Sequence, residues 1–199
     1  MTTANKVTIL RMLLIPFFVV EALYYVKTGN EIFRLLATTA FAVAAICDGV
    51  DGYIARHYNQ RSELGAILDP LADKLLLVSG IVLFTFDHSP RFGSIPLWLT
   101  GTILGRDLII LIGYGVIHSM IGKVKVRPRI TGKIATVFQM FSVGWILLKW
   151  DAQFPPMWYS VWTYGAAVCT GISGLLYVWD GMKQLSSHPT SSATPDGKA

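Results

Sequence analysis

Six apolar segments, each close to the length of a membrane crossing, leave this chain few ways to fold. They cover about 8–27, 32–55, 66–86, 95–119, 131–149 and 158–182. A helix rises about 1.5 Å per residue, so roughly 20 apolar residues span the hydrocarbon core of a bilayer. Lipid offers no partners to backbone N–H and C=O groups, and a helix satisfies its own. Composition points the same way. The chain is 53% hydrophobic and 15% charged, with mean hydropathy +0.51, whereas soluble domains carry roughly 25% charge. The fold class expected is therefore all-α: a polytopic membrane protein with six transmembrane helices and no large soluble part. One membrane domain covers 1–183. Residues 184–199, rich in Ser, Thr, Pro and Gly, are expected to form a disordered cytoplasmic tail.

The basic residues orient the bundle. Lys6, Arg11, Arg56, Arg61, Lys123, Lys125, Arg127, Arg129, Lys133, Lys183 and Lys198 fall on one side, and Lys27, Arg34, Arg91 and Lys149 on the other. The positive-inside rule puts the first side, with both termini, in the cytoplasm. The net charge of +5 needs no nucleic acid, since anionic lipid and cytoplasmic loops account for it. Trp150, Trp158, Tyr159 and Trp162 make an aromatic belt at the outer interface. Gly165, Gly171, Gly174 and Gly181 suit close helix packing in the last span. Cys47 and Cys169 read as small buried apolar residues, with no metal or disulfide spacing. His57, His88, His118 and His188 are scattered among loops and interfaces. The first apolar run lacks a small-residue cleavage site and reads as a retained span. With no Arg/Ser-rich segment before it, the expected location is a bacterial cytoplasmic (inner) membrane.

Against this apolar background stand four aspartates. Asp48 and Asp51 are three apart, and Asp69 and Asp73 four apart, so each pair shares one face of a helix. The second and third segments are joined by a short polar link, which makes them antiparallel neighbours. Asp48 lies eight residues before Arg56 and Asp73 eight after Gly65. Both then sit roughly 12 Å below the cytoplasmic end, with Asp51 and Asp69 one turn nearer water. Carboxylates converging in so dry a place repel each other unless cations compensate. An all-oxygen set suits two hard divalent ions, Mg²⁺ or Mn²⁺, rather than zinc. Around them, Gly52 and Ala55 leave room for a nucleotide against the backbone. Arg56 offers a fork for pyrophosphate oxygens, and Gly65 permits close helix approach.

The run Asp48-x-x-Asp51-Gly52-x-x-Ala55-Arg56, eight residues, Gly65-x-x-x-Asp69-x-x-x-Asp73 resembles the signature of the CDP-alcohol phosphotransferase family at every fixed position. The resemblance covers nearly the whole chain and implies that family's fold of six membrane helices. It further implies transfer of the phosphatidyl group of a CDP-linked lipid to an alcohol, with release of CMP. On that likeness Asp48, Asp51, Asp69 and Asp73 hold two Mg²⁺ or Mn²⁺ ions, and Asp73 is also the general base. The CDP site is made by Asp48, Asp51, Gly52, Ala55, Arg56, Gly65 and Asp69. The active site faces the cytoplasm, and the likeness implies a homodimer.

The acceptor rests on other residues. Arg106, beside Asp107, lies inside the fourth span, where solvation does not explain a charge. With Arg129 and Lys133 it would form a cluster for a phosphorylated acceptor. Asn5-x-x-Thr8-x-x-Arg11 and the Ile-Pro-Phe-Phe that follows resemble phosphatidylglycerophosphate synthases, which implies sn-glycerol 3-phosphate. Asp107, where those enzymes commonly carry Glu, departs from that pattern, as does the Arg-Pro-Arg-x-x-Gly-Lys loop. Arg106-Asp107 and Gly132 to Gln139 also resemble the family's cardiolipin synthases, which use phosphatidylglycerol. A divalent-cation transporter is a remoter alternative, since membrane carboxylates can mark ion pathways.

Overall fold

The computed structural model describes the backbone of residues 3–57, 63–121 and 130–186, and the side chains there except 3–7, 48–57, 63–70, 114, 117–118, 120–121 and 184–186. The described residues are helical, without strands. The helices are α1 (Thr3–Thr28), α2 (Glu31–His57), α3 (Glu63–Thr85), α4 (Leu97–Ile121), α5 (Ile130–Leu147), the short α6 (Trp150–Gln153) and α7 (Pro156–Ser186). Six long helices thus stand where six apolar segments do. Of these, Thr8–Thr28, Ile130–Leu147 and Pro156–Lys183 are long and apolar enough to cross a membrane by length and composition. Helix α7 continues three residues past the expected boundary at Lys183.

Helix α1 packs most extensively on α2 and next on α3, while α4 and α5 both lie against α7. Contacts of α3 with α4 and α5, and of α2 with α5, join the two groups. The seam of α1 is Thr8, Arg11, Ile15, Phe18, Ala22 and Tyr25, all buried. Its alternating steps of three and four keep one face toward the bundle. Facing it, α2 buries Phe41 and the small Ala37, Ala40 and Ala44, and the alanines let the backbones come close without a hydrophobic force between helices in lipid. Most other large apolar side chains point outward. On α4, Leu108, Ile109, Leu111, Ile112 and Val116 are all exposed, a surface that water would not tolerate and lipid does.

The α1–α2 turn needs Gly29 for two reasons. Its φ of +73° is left-handed, and the Arg91 guanidinium occupies the place a Cβ would take. Asn30 then caps α2, its Oδ1 accepting from the Ile32 amide at 3.1 Å. Close by, Glu31 gathers three partners: it accepts from the Tyr25 hydroxyl at 3.1 Å, pairs with Arg34 Nε at 2.5 Å and with Lys149 at 3.4 Å. Arg34 also donates to the Leu147 carbonyl at 3.1 Å. Arg34, Arg91 and Lys149, assigned to one side of the membrane by their order in the chain, therefore share one end of the bundle.

The Arg34 hydrogen bond above all, with Tyr25 and Lys149, holds the Glu31 carboxyl down at about 2 from 4.5. A depressed carboxyl stabilises the fold above its unfolded value and loses that contribution as pH falls through the folded one. Glu31→Gln is therefore expected to lower the thermal midpoint slightly at neutral pH, and the gap should close between pH 4.5 and about 2. The side chain is 58% exposed, so solvent screening keeps the effect below ~1 kcal/mol. Thermal unfolding of both proteins in detergent across that range checks it; a gap that persists in acid would show the network acts through packing.

Two glycines of α7 serve close packing as expected. A Cβ at Gly165 would meet the Phe138 ring at 2.9 Å, and one at Gly174 would meet Arg106 Cγ at 3.2 Å. Gly171 does not, since a Cβ there has nothing within 4 Å. The aromatic belt is partly a cluster: Trp150 packs edge-on to Trp145 at 5.2 Å, and Trp162 lies 4.1 Å from Phe141. Trp158 stays exposed. Cys47 and Cys169 are free and half-buried rather than fully enclosed, and His88 bonds the Leu83 carbonyl at 3.0 Å at the end of α3.

Candidate active site

Asp48, Asp51, Gly52, Ala55 and Arg56 lie on the last three turns of α2, and Gly65, Asp69 and Asp73 on the first three of α3. From the helix ends at His57 and Glu63, Asp48 is about 14 Å and Asp73 about 15 Å along its helix. The backbone thus carries the two pairs to matching depth. The side chains of Asp48, Asp51, Gly52, Ala55, Arg56, Gly65 and Asp69 lie outside the described residues. Asp73 is half-buried, and its Oδ1 is shielded from solvent. Among the described residues no group of three or more His, Cys, Asp or Glu side chains could hold a metal. Of the four aspartates, Asp73 alone is among them.

Next to Asp73 begins a chain of charges. Lys74 Nζ pairs with Asp107 Oδ2 at 3.1 Å, and Asp107 Oδ1 accepts from Arg106 Nη1 at 2.7 Å. Arg106 Nη2 donates to Ser173 Oγ at 3.0 Å, and its guanidinium carbon lies 5.7 Å from the centre of the Tyr177 ring. The start of α5 closes on the same point: a Cβ on Gly132 would lie 3.2 Å from Arg106 Nη2 and 3.4 Å from Ser173 Oγ. Helices α3, α4, α5 and α7 therefore converge at Arg106. Of the three residues expected to bind an acceptor phosphate, Arg106 is here with most of its side chain buried. Lys133 follows Gly132 on the first turn of α5 and is exposed. Arg129 lies outside the described residues.

An apolar groove of about 760 Å³ opens sideways between α1 and α3, lined by residues that include Met12, Pro16 and Leu23 on one wall and Leu75, Val82 and Phe86 on the other. Its Leu75 end is two residues from Asp73.

Residues 1–172 match the CDP-alcohol phosphatidyltransferase family. The chain belongs to that family. It is 30% identical over 184 residues to the CDP-diacylglycerol--glycerol-3-phosphate 3-phosphatidyltransferase of Escherichia coli (strain K12), covering 90% of this chain and 91% of that one. The enzymes of the same name from Shigella sonnei (strain Ss046) and Salmonella paratyphi A (strain ATCC 9150 / SARB42) are 30% and 29% identical over the same shares. Divalent-metal dependence is general in the family. The donor chemistry here fits it, since four carboxylates on two adjacent helices offer only hard oxygen ligands.

One part of the site escapes a reading of the sequence. Ser173 and Tyr177 stand 67 and 71 residues from Arg106, and no local pattern joins them. Arg11, placed on the cytoplasmic side by its charge and part of the Asn5-x-x-Thr8-x-x-Arg11 pattern, is fully buried, as is Thr8 one turn before it. A signal for this was present: both fall on the three-four spacing of the α1 seam. A buried guanidinium is retained only where its surroundings compensate it.

Proposed function

We propose that this protein transfers the phosphatidyl group of CDP-diacylglycerol to the hydroxyl of sn-glycerol 3-phosphate, giving phosphatidylglycerophosphate and CMP. The observation that carries this reading is the likeness, over nine-tenths of both chains, to enzymes bearing that name.

In this reading Asp48, Asp51, Asp69 and Asp73 hold two Mg²⁺ or Mn²⁺ ions, which supply positive charge to the pyrophosphate when bound. Gly52, Ala55 and Gly65 leave space for the cytidine nucleotide, and Arg56 grips pyrophosphate oxygens. Arg106, Arg129 and Lys133 hold the acceptor phosphate, leaving one of the two free glycerol hydroxyls toward α3. Asp73 takes the proton of that hydroxyl. The oxygen then forms a bond to the lipid-bearing phosphorus as the bond from that phosphorus to the oxygen of CMP breaks. Most of the protein's work in such a transfer is positioning and electrostatics. The α1–α3 groove, apolar and beside Asp73, suits an acyl chain of the donor, whose tails need not leave the membrane.

Six transmembrane helices spanning 1–183, cytoplasmic termini, a disordered tail and a homodimer in a bacterial inner membrane complete the proposal. The sharing of one bundle end by Arg34, Arg91 and Lys149 supports the orientation. The test is CMP release by the purified protein with Mg²⁺, CDP-diacylglycerol and each of glycerol 3-phosphate, phosphatidylglycerol and inositol phosphate. Release with glycerol 3-phosphate alone is expected. Turnover only with phosphatidylglycerol would make it a cardiolipin synthase of the same family, the reading that Arg106-Asp107 and Gly132 to Gln139 favour. No release with any acceptor, together with metal uptake into vesicles, would point to a divalent-cation transporter.

A further inference from the structure

We infer that Ser173 and Asp107 are positioning residues that hold the Arg106 guanidinium in one orientation for the acceptor phosphate, and that Asp107, through Lys74, ties this orientation to the helix carrying Asp73. The inference rests on the acceptor reading above and adds the residues that make the arginine specific.

An arginine side chain has many rotamers, and fixing it at the moment of binding costs affinity. Here the fixing is done beforehand. Nη1 is held by Asp107 at 2.7 Å and Nη2 by Ser173 at 3.0 Å. The stem lies against Gly174, where a Cβ would come within 3.2 Å of Cγ. Tyr177 faces the guanidinium at 5.7 Å. The guanidinium has five N–H donors, and these contacts use two. Nε is buried and donates to no group among the described residues. The fork is thus pinned from two sides with donor capacity left over.

Holding α4 to α7 does not require this arrangement. Replacing buried ion pairs by well-packed apolar residues is often neutral or stabilising, and the same α4 is covered in exposed Leu, Ile and Val. Ser173 is fully buried, with its hydroxyl spent on Arg106. Asp107 divides its two oxygens between Arg106 and Lys74. Lys74 follows Asp73 directly, so movement of α3 against α4 would pull on the phosphate-binding arginine. The distance from bound phosphate to general base is thereby set by one carboxylate.

The experiment is steady-state CMP release by the full-length protein, with the KM for glycerol 3-phosphate and for CDP-diacylglycerol measured separately, alongside thermal unfolding. Ser173→Ala and Asp107→Asn are each expected to raise the KM for glycerol 3-phosphate about 10-fold or more, the scale of a lost hydrogen bond to a charged group. The KM for CDP-diacylglycerol should stay near wild type even where the unfolding midpoint falls, as it will when a buried guanidinium loses a partner, and Ser173→Thr should restore the acceptor KM to within about two-fold, since the hydroxyl returns. An acceptor KM that does not move in either variant overturns the inference. So does a joint shift of both KM values and the midpoint, which would mean a structural role only. If the wild-type protein uses phosphatidylglycerol and not glycerol 3-phosphate, the acceptor reading falls, and the same ratio measured on that phosphate-bearing acceptor decides the positioning role.

Discussion

Asp73→Asn is expected to lower the turnover number for CMP release by about 10² to 10⁴, the usual contribution of a positioned general base. The amide keeps the shape of the carboxylate and cannot take the acceptor proton. Asp48, Asp51 and Asp69 remain, so binding of CDP-diacylglycerol should survive largely intact. Titration of the variant with donor lipid in the presence of Mg²⁺, beside rapid-quench measurement of a single turnover, separates the two effects. A near-normal rate would remove Asp73 from the chemistry. Loss of donor binding equal to the loss of rate would make it a ligand and not a base. Asp73 is half-buried on α3, next to the Lys74–Asp107 pair at 3.1 Å, so the proposed base adjoins the framework that holds Arg106.

Arg106→Gln should be the second large effect. The guanidinium offers charge and a fork at once, and each hydrogen bond it gives a phosphate is of the stronger, charge-assisted kind. Its removal is expected to raise the KM for glycerol 3-phosphate by about 10² or more, with the KM for CDP-diacylglycerol much less affected. Arg106→Lys should recover only part of this. A lysine ammonium cannot meet Asp107, Ser173 and a phosphate in the same planar geometry. The loss should exceed that of Ser173→Ala, because the serine orients the group and the arginine supplies it. An Arg106→Gln protein with an ordinary acceptor KM would move the phosphate to another pocket, with Lys133 and Arg129 the first residues to vary.

The helices were readable because apolar runs of about 20 residues suit a helix, which satisfies its own backbone where lipid offers no partners. Run length and backbone pairing act on short stretches of chain, and α1 to α5 and α7 follow the apolar segments to within a few residues. The donor signature was readable for a related reason. Steps of three and four put Asp48 with Asp51 and Asp69 with Asp73, and a short link makes their helices neighbours. The surroundings of Arg106 were less readable. The sequence marks it as an unsolvated charge beside Asp107, and nothing within a turn or two specifies Ser173, Tyr177 or Gly132 as what it meets. Arg11 is a further case: its charge puts it with the cytoplasmic residues, and the three-four stripe of α1 turns its side chain inward. Gly171 shows a third, since a run of glycines on one helix contains positions that meet a neighbour, such as Gly165 and Gly174, and one that meets nothing.

By itself, then, the sequence determined the class of fold, the family and the residues expected to handle the donor, because each depends on composition or on spacing along one helix pair. The tertiary structure alone decided which contacts surround Arg106. Those contacts join α3, α4, α5 and α7 across long separations, and they depend on how helices cross, which no periodicity within a single helix encodes.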